Sequence, residues 1–217
     1  MDLLLLAAYP PELAGFRGTL GDGLEARVGH LAIRARAVGV GLCDAAVGAA
    51  CALAEATPRA VVLVGTCGAY RSSGIALGAV AVAASLFLTC PSVAEGRAAV
   101  PGAVVTSLST DGGLCSALAA RGARAASVAT TLAITTDDAL AQLVCSTTGC
   151  EVEHLEAFAV ARVCAARGVR FAAALGVANL VGSMARQQWR AHQAAAGAAA
   201  SRLVVDWLLA GAPGLAE

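Results

Sequence analysis

Short unbroken apolar runs alternate along this chain with stretches in which small residues and isolated charges recur. Leu3 to Ala8 is a continuous apolar run, the pattern of a strand buried on both faces. His30 to Val40 alternates in part around Ile33 and reads as strand. Asp44 stands where it can cap a helix running through Thr57, which Pro58 stops. Ala60 to Val64 reads as a buried strand that delivers the chain into a glycine turn, Gly65-Thr66-Cys67-Gly68. More strand is expected over Ala76 to Leu88, then a helix capped by Asp111 up to Gly122. Ser127 to Thr135 is strand-like, and Asp137 opens a short helix. Leu155 to Arg167 has helical character and stops at Gly168, a C′ glycine. Val169 to Val177 reads as strand, and a last helix spans about Ser183 to Leu209.

This alternation, with no linker or repeat to divide it, predicts one α/β domain over residues 1–217. The expected architecture is three-layer α/β/α with a central mixed, mostly parallel sheet. Ligands in such folds sit at the carboxyl ends of strands.

Composition narrows the partners. Hydrophobic residues make up 58% of the 217 positions and charged residues 14%, well away from the disordered class. All basic charge is Arg, net charge is zero and no Arg-rich run stands out, so no basic face is offered to nucleic acid. A small, nearly neutral substrate fits better. The uncharged stretch Ser72 to Ala94 is interrupted by Gly74, Gly78, Ser85 and Thr89 and ends near Pro91, with Arg71 and Arg97 on either side. It reads as buried strand plus turn, not as a membrane span. Asp2 stands where a signal peptide would be basic, so a cytoplasmic chain is expected. The eight cysteines lack C-x-x-C spacing and read as reduced, mostly buried residues. The three histidines show no metal-ligand spacing with them, and no metal or cofactor is expected. The apolar surplus predicts surface buried between subunits of a homo-oligomer.

Four segments can carry chemistry. Glu12 follows the first strand after Pro10-Pro11; by itself it reads first as a helix-start carboxylate. Gly65, Thr66 and Gly68 offer backbone N–H groups and a hydroxyl after a buried strand, or an ordinary turn. Glu156 enters an apolar helix behind Glu151, Glu153 and His154, as a site carboxylate or as helix-start charge. Asn179 closes the strand from Phe171, either at a ligand or as a turn residue beside Gly182.

Taken together, in this order, the segments resemble the nucleoside phosphorylase and nucleosidase superfamily. Ala7 to Glu12 is similar to its Ala-x-x-x-x-Glu start. Gly39, Gly41, Ala45 and Ala46 match its Gly-x-Gly-x-x-x-Ala-Ala stretch, and Gly65, Thr66 and Gly68 its Gly-Thr/Ser-x-Gly. The futalosine hydrolase branch is matched best. Its Glu-x-Met-Glu-Gly-Phe-x-Val-Ala resembles Glu153 to Ala161. Its Ser-Asn-x-Val-Gly, Arg and Trp-Arg resemble Ala178 to Gly182, Arg186 and Trp189-Arg190. Relatives acting on methylthioadenosine carry Asp where Asn179 stands. Leu42, Leu155, Ala157, Leu175 and Ala178 depart from the branch's residues.

The resemblance implies hydrolysis of an N-ribosidic bond. Glu12 would deprotonate water, Gly65, Thr66 and Gly68 would help hold it, and Asn179 would hydrogen-bond the base. Glu156 would accept from ribose hydroxyls, with Leu155 and Leu140 also contacting substrate, in a homodimer. Hydrolysis of methylthioadenosine or adenosylhomocysteine stays open, as does phosphorolysis, with Arg34 and Arg36 as the available cations. So does a non-catalytic binding protein on the same fold.

Overall fold

The structure, a computed structural model, describes residues 1–215. Strand β1 (Leu3–Ala7) leads into a 3-10 segment, Pro10–Phe16, and helix α1 (Arg17–Leu20). Strands β2 (Glu25–Val28) and β3 (Leu31–Ala37) form a hairpin before helix α2 (Leu42–Glu55). Next come β4 (Ala60–Ala69), β5 (Val80–Leu88), α3 (Pro91–Ala94), β6 (Ser107–Ser109), α4 (Gly112–Ala119) and β7 (Arg124–Thr130). The chain continues through α5 (Asp138–Thr148), β8 (Val152–Glu153), α6 (Ala157–Ala166), β9 (Arg170–Leu180) and α7 (Ala185–Leu209).

The strands make one mixed, mostly parallel sheet. β1 lies between β3 and β4, parallel to both, and β9 runs parallel to β4. β9 then pairs antiparallel with β5, β5 parallel with β7, and β7 parallel with β8. Gly68 and Ala69 of β4 pair antiparallel with β8, so β4, β9, β5, β7 and β8 close into a ring. The middle of the molecule is therefore a sheet that curls back on itself, extended beyond the ring by β1, β3 and β2.

Strand periodicity sorts the core. Leu4, Leu6, Val61 and Leu63 pack with Ala45, Ala49 and Leu53 of α2 and with Phe158 and Val160 of α6. Leu3, Leu5, Val62 and Val64 face the other way, against Leu13, Phe16, Leu203, Val204 and Trp207. Small residues let α7 lie close: a Cβ at Gly176 of β9 would fall on the Ala196 carbonyl. Among the described residues no helix is long and apolar enough to cross a membrane.

Two local expectations are corrected. The Gly65–Gly68 segment is not a turn; it is the second half of β4, paired throughout with β9 and shifted in register once, between Cys67 and Gly68. Its glycines serve close approach. A Cβ on Gly68 would lie 2.7 Å from Asn179 Nδ2, and one on Gly65 3.0 Å from Glu12 Oε1. Likewise α2 begins at Leu42 after Gly41, whose φ of 86° suits glycine, and Asp44 sits inside the first turn instead of capping it. Asp111 and Asp137 do cap, accepting from Leu114 N–H and Leu140 N–H. Gly168 ends α6 at φ 64°. The β2 strand has no counterpart in the sequence reading, because its Glu25–Val28 run is too short and too exposed to show an apolar pattern.

Candidate active site

Glu12 lies in the 3-10 segment that Pro10 and Pro11 start, so its carboxylate turns back over the end of β1. Ala8 N–H donates to Oε2 at 3.1 Å and Thr66 N–H to Oε1 at 3.1 Å. The Thr66 hydroxyl stands 3.5 Å from Oε1 and accepts the indole N–H of Trp189 at 3.1 Å. An indole can only donate, so the Thr66 proton is left for Glu12 or for a ligand. Glu12 is only 8% exposed. Burial, and next the negative charge of Glu156, push its pKa up to about 7; the backbone donors from Thr66 and Ala8 hold it back only in part. A carboxylate that titrates near neutrality can both take and hold a proton there.

Across the cavity, Glu156 occupies the N-cap position of α6. Its Oε1 accepts Gly41 N–H at 2.7 Å, so this carboxylate caps the start of α2 in the place expected of Asp44. His154 Nδ1 accepts from Glu156 N–H at 3.2 Å and Ala157 N–H at 3.1 Å. The same nitrogen lies 3.3 Å from Glu156 Oε2, which has the spacing of an ion pair. Two backbone donors aimed at Nδ1 leave no room for its own proton, so the imidazole is neutral. Burial agrees, drawing its pKa down against the opposing pull of Glu156. Glu153 completes this wall. It accepts Thr135 N–H at 2.9 Å, the Thr135 hydroxyl at 2.6 Å and the Tyr70 hydroxyl at 3.1 Å, and so ties the segment after β7 to the cavity. Burial raises the Glu153 pKa, and these donors offset part of the rise.

Asn179 sits near the end of β9 and donates from Nδ2 to the Leu180 carbonyl at 3.0 Å. Helix α7 supplies the remaining wall with Arg186, Trp189 and Arg190. Its next turn is tied to the first loop, because Tyr9 Oη donates to Gln193 Oε1 at 2.7 Å. The cavity measures about 490 Å³, in the range of small-ligand sites. Among the described residues, no three His, Cys, Asp or Glu side chains converge as a metal site.

The structure thus brings Glu12, Thr66, Gly68, Leu155, Glu156 and Asn179 onto one cavity. Gly65 adjoins it through Glu12. Leu140 does not reach it. It lies in the first turn of α5 and packs with the cluster of Tyr70, Ala141 and Val144, because that cluster draws the same face of α5 inward. Tyr9, Glu153 and His154 line the cavity without having been singled out for a role. The signal for Glu153 and His154 was their place just ahead of Glu156. Tyr9 had none, since it depends on contact with a residue near the other end of the chain.

Residues 14–208 match the family model of the phosphorylase superfamily. No curated protein matches the chain by sequence. Among solved structures, the 5′-methylthioadenosine/S-adenosylhomocysteine nucleosidase of Neisseria meningitidis, in complex with methylthio-immucillin-A, superposes with a TM-score of 0.84 at 15% identity, covering 96% of this chain and 99% of that one. The futalosine hydrolase of Helicobacter pylori gives 0.84 at 13% identity, covering 96% and 97%. The S-adenosylhomocysteine nucleosidase of Streptococcus pyogenes, with 5-methylthiotubericidin, gives 0.85 at 18% identity, covering 97% of each. At these identities the likeness is one of fold.

Proposed function

The chain belongs to the phosphorylase superfamily, and from that premise we propose that it is a nucleosidase hydrolysing the N-ribosidic bond of a purine nucleoside derivative. The proposed substrate is futalosine, cleaved to dehypoxanthinyl futalosine and hypoxanthine on the way to menaquinone. The observation that carries the reading is Glu12, a buried carboxylate held by two backbone N–H groups with its pKa near 7, facing Glu156 across one cavity.

In the proposed reaction, water held by Glu12 and Thr66 attacks the anomeric carbon as the carbon–nitrogen bond breaks, and Glu12 takes the water's proton. Glu156 accepts from the ribose hydroxyls and opposes the positive charge that grows on the sugar. Asn179 hydrogen-bonds the departing base. An amide supplies no proton, so the base collects its own from water. Asn179, in the position where methylthioadenosine-cleaving relatives carry Asp, is the residue that favours futalosine among nucleosides.

Phosphorolysis would need cations beside the nucleophile. Arg34 pairs with Glu25 at 2.9 Å and Arg36 with Glu55 at 2.7 Å, on half-buried positions of β3. Neither is free for phosphate. We expect hypoxanthine release from futalosine at an equal rate with and without added phosphate, read by chromatography of the free base. Release that occurs only with phosphate rules hydrolysis out.

The reading includes a homodimer. Val40 and Ile134 line the cavity and are exposed, as are Leu132, two residues before Ile134, and Met184, next to the cavity-lining Ala185. Sedimentation at micromolar concentration is expected to give twice the chain mass; a single monomer boundary refutes this part.

A further inference from the structure

The cavity is electrically divided. Its buried carboxylates, Glu12, Glu153 and Glu156, lie deep, whereas Arg186 and Arg190 of α7 are exposed at its edge. These arginines are four residues apart and so share one helix face, with Trp189 between them. Like charges at this spacing repel, which weakens a helix unless something neutralises them. Some arginines meet a carboxylate, as Arg34 does with Glu25 and Arg124 with Glu151, and others, such as Arg121, Arg162 and Arg202, do not; Arg186 and Arg190 are set apart by their shared place on the cavity edge. Among the described residues, neither the Arg186 nor the Arg190 side chain makes an ion pair or hydrogen bond. The Trp189 indole is anchored on the Thr66 hydroxyl, so the face that carries both guanidinium groups is fixed against the cavity and does not float beside it.

We propose that Arg186 and Arg190 form a carboxylate-binding edge that selects nucleosides bearing an anionic group on the 5′ substituent, with Trp189 as the apolar surface under that substituent. The inference rests on the nucleosidase reading, which assigns Glu12 to water, Asn179 to the base and Glu156 to the ribose hydroxyls. The α7 wall, with Val40 and Ile134 at the cavity edge, is left for the 5′ end, and α7 alone supplies cations there. A planar guanidinium matches a carboxylate with two parallel hydrogen bonds, so the pair discriminates charge and shape together. Neutral 5′ groups would leave both cations uncompensated.

The test compares futalosine, its methyl ester and inosine on the unmodified chain and on Arg186→Gln, Arg190→Gln and the double variant, with thermal melting as a check of folding. The kcat/KM of futalosine relative to inosine is expected to fall about tenfold or more in the double variant. The methyl ester should behave like inosine, and raising salt should narrow the gap between futalosine and its ester. An unchanged ratio in the double variant overturns the proposal, as does an ester used as well as the acid. Base release that phosphate saturates, and that the double variant loses, assigns the pair to phosphate and overturns it too. If no nucleoside is cleaved, the hydrolase reading fails by itself. Calorimetric binding of futalosine against its ester, in the unmodified chain and the double variant, then still decides the role of the arginines.

Discussion

Glu12→Gln is expected to lower kcat by roughly 10²–10⁴-fold while leaving substrate affinity nearly unchanged, because it removes the base and no contact to the sugar or purine. In the unmodified enzyme kcat/KM should rise about tenfold per pH unit below neutrality and level off above about 7, the value to which burial and Glu156 push Glu12. Stability has the opposite sign. A carboxyl group whose pKa is raised on folding, here from 4.5 to about 7, keeps in the folded state a proton that the unfolded chain gives up. Between those values the folded state binds more protons, so stability falls as pH rises, by on the order of 3 kcal/mol across the window. The glutamine variant should lose that slope. It should not simply be stabilised: both oxygens of Glu12 accept a backbone N–H, and the amide NH₂ of glutamine must face one of those donors. Such a mismatch costs about 1–3 kcal/mol. Chemical denaturation at pH 5 and pH 8 reads the slope. A variant that retains wild-type turnover removes Glu12 from the mechanism.

Glu156→Gln should weaken binding and turnover together, by roughly 10- to 100-fold in kcat/KM, since a charged acceptor becomes a neutral one. The fold should survive. The remaining oxygen can still accept Gly41 N–H, so the start of α2 keeps its acceptor. Glu156→Ala separates the two duties of this residue. It strips the start of α2 of its acceptor and should cost about 1–3 kcal/mol of stability as well as activity. Equal kinetics for Glu156→Gln and the unmodified chain would make Glu156 a cap and nothing more; melting and steady-state kinetics on both variants distinguish these outcomes.

The sequence shows the strands well because the central ones are buried on both faces and read as solid apolar runs, as in Leu3–Ala7. Glycine was the misleading signal. Gly65 and Gly68 look like a turn, yet they lie in a strand where other atoms press close: the Glu12 carboxylate in one case, the Asn179 amide in the other. Nothing local in the sequence distinguishes a glycine that bends the chain from one that makes room. The cap of α2 was hidden for a related reason. Its acceptor, Glu156, comes from a helix more than a hundred residues later, whereas Asp44 was the nearest acid. Glu156 was visible as an acid entering an apolar helix, and Glu12 only through its place in the Ala7 to Glu12 family pattern. Their mutual influence, and the neutral His154 beside them, emerge only once β1, β4 and α6 are brought together.

The bond from Tyr9 to Gln193 joins positions 184 residues apart. Glu12 is likewise completed by Thr66 and, through it, by Trp189. A polypeptide still emerging from the ribosome therefore has Glu12 but not the wall that lies against it, and the nascent chain is expected to be inactive. The early strands can pair as they appear, whereas the site waits for the last helix to dock on Gly176. So late a closure between chain ends is entropically slow to find, and assembly of the pocket should trail formation of the sheet. Fragments cut short within α7 would carry every carboxylate of the site and still be inert.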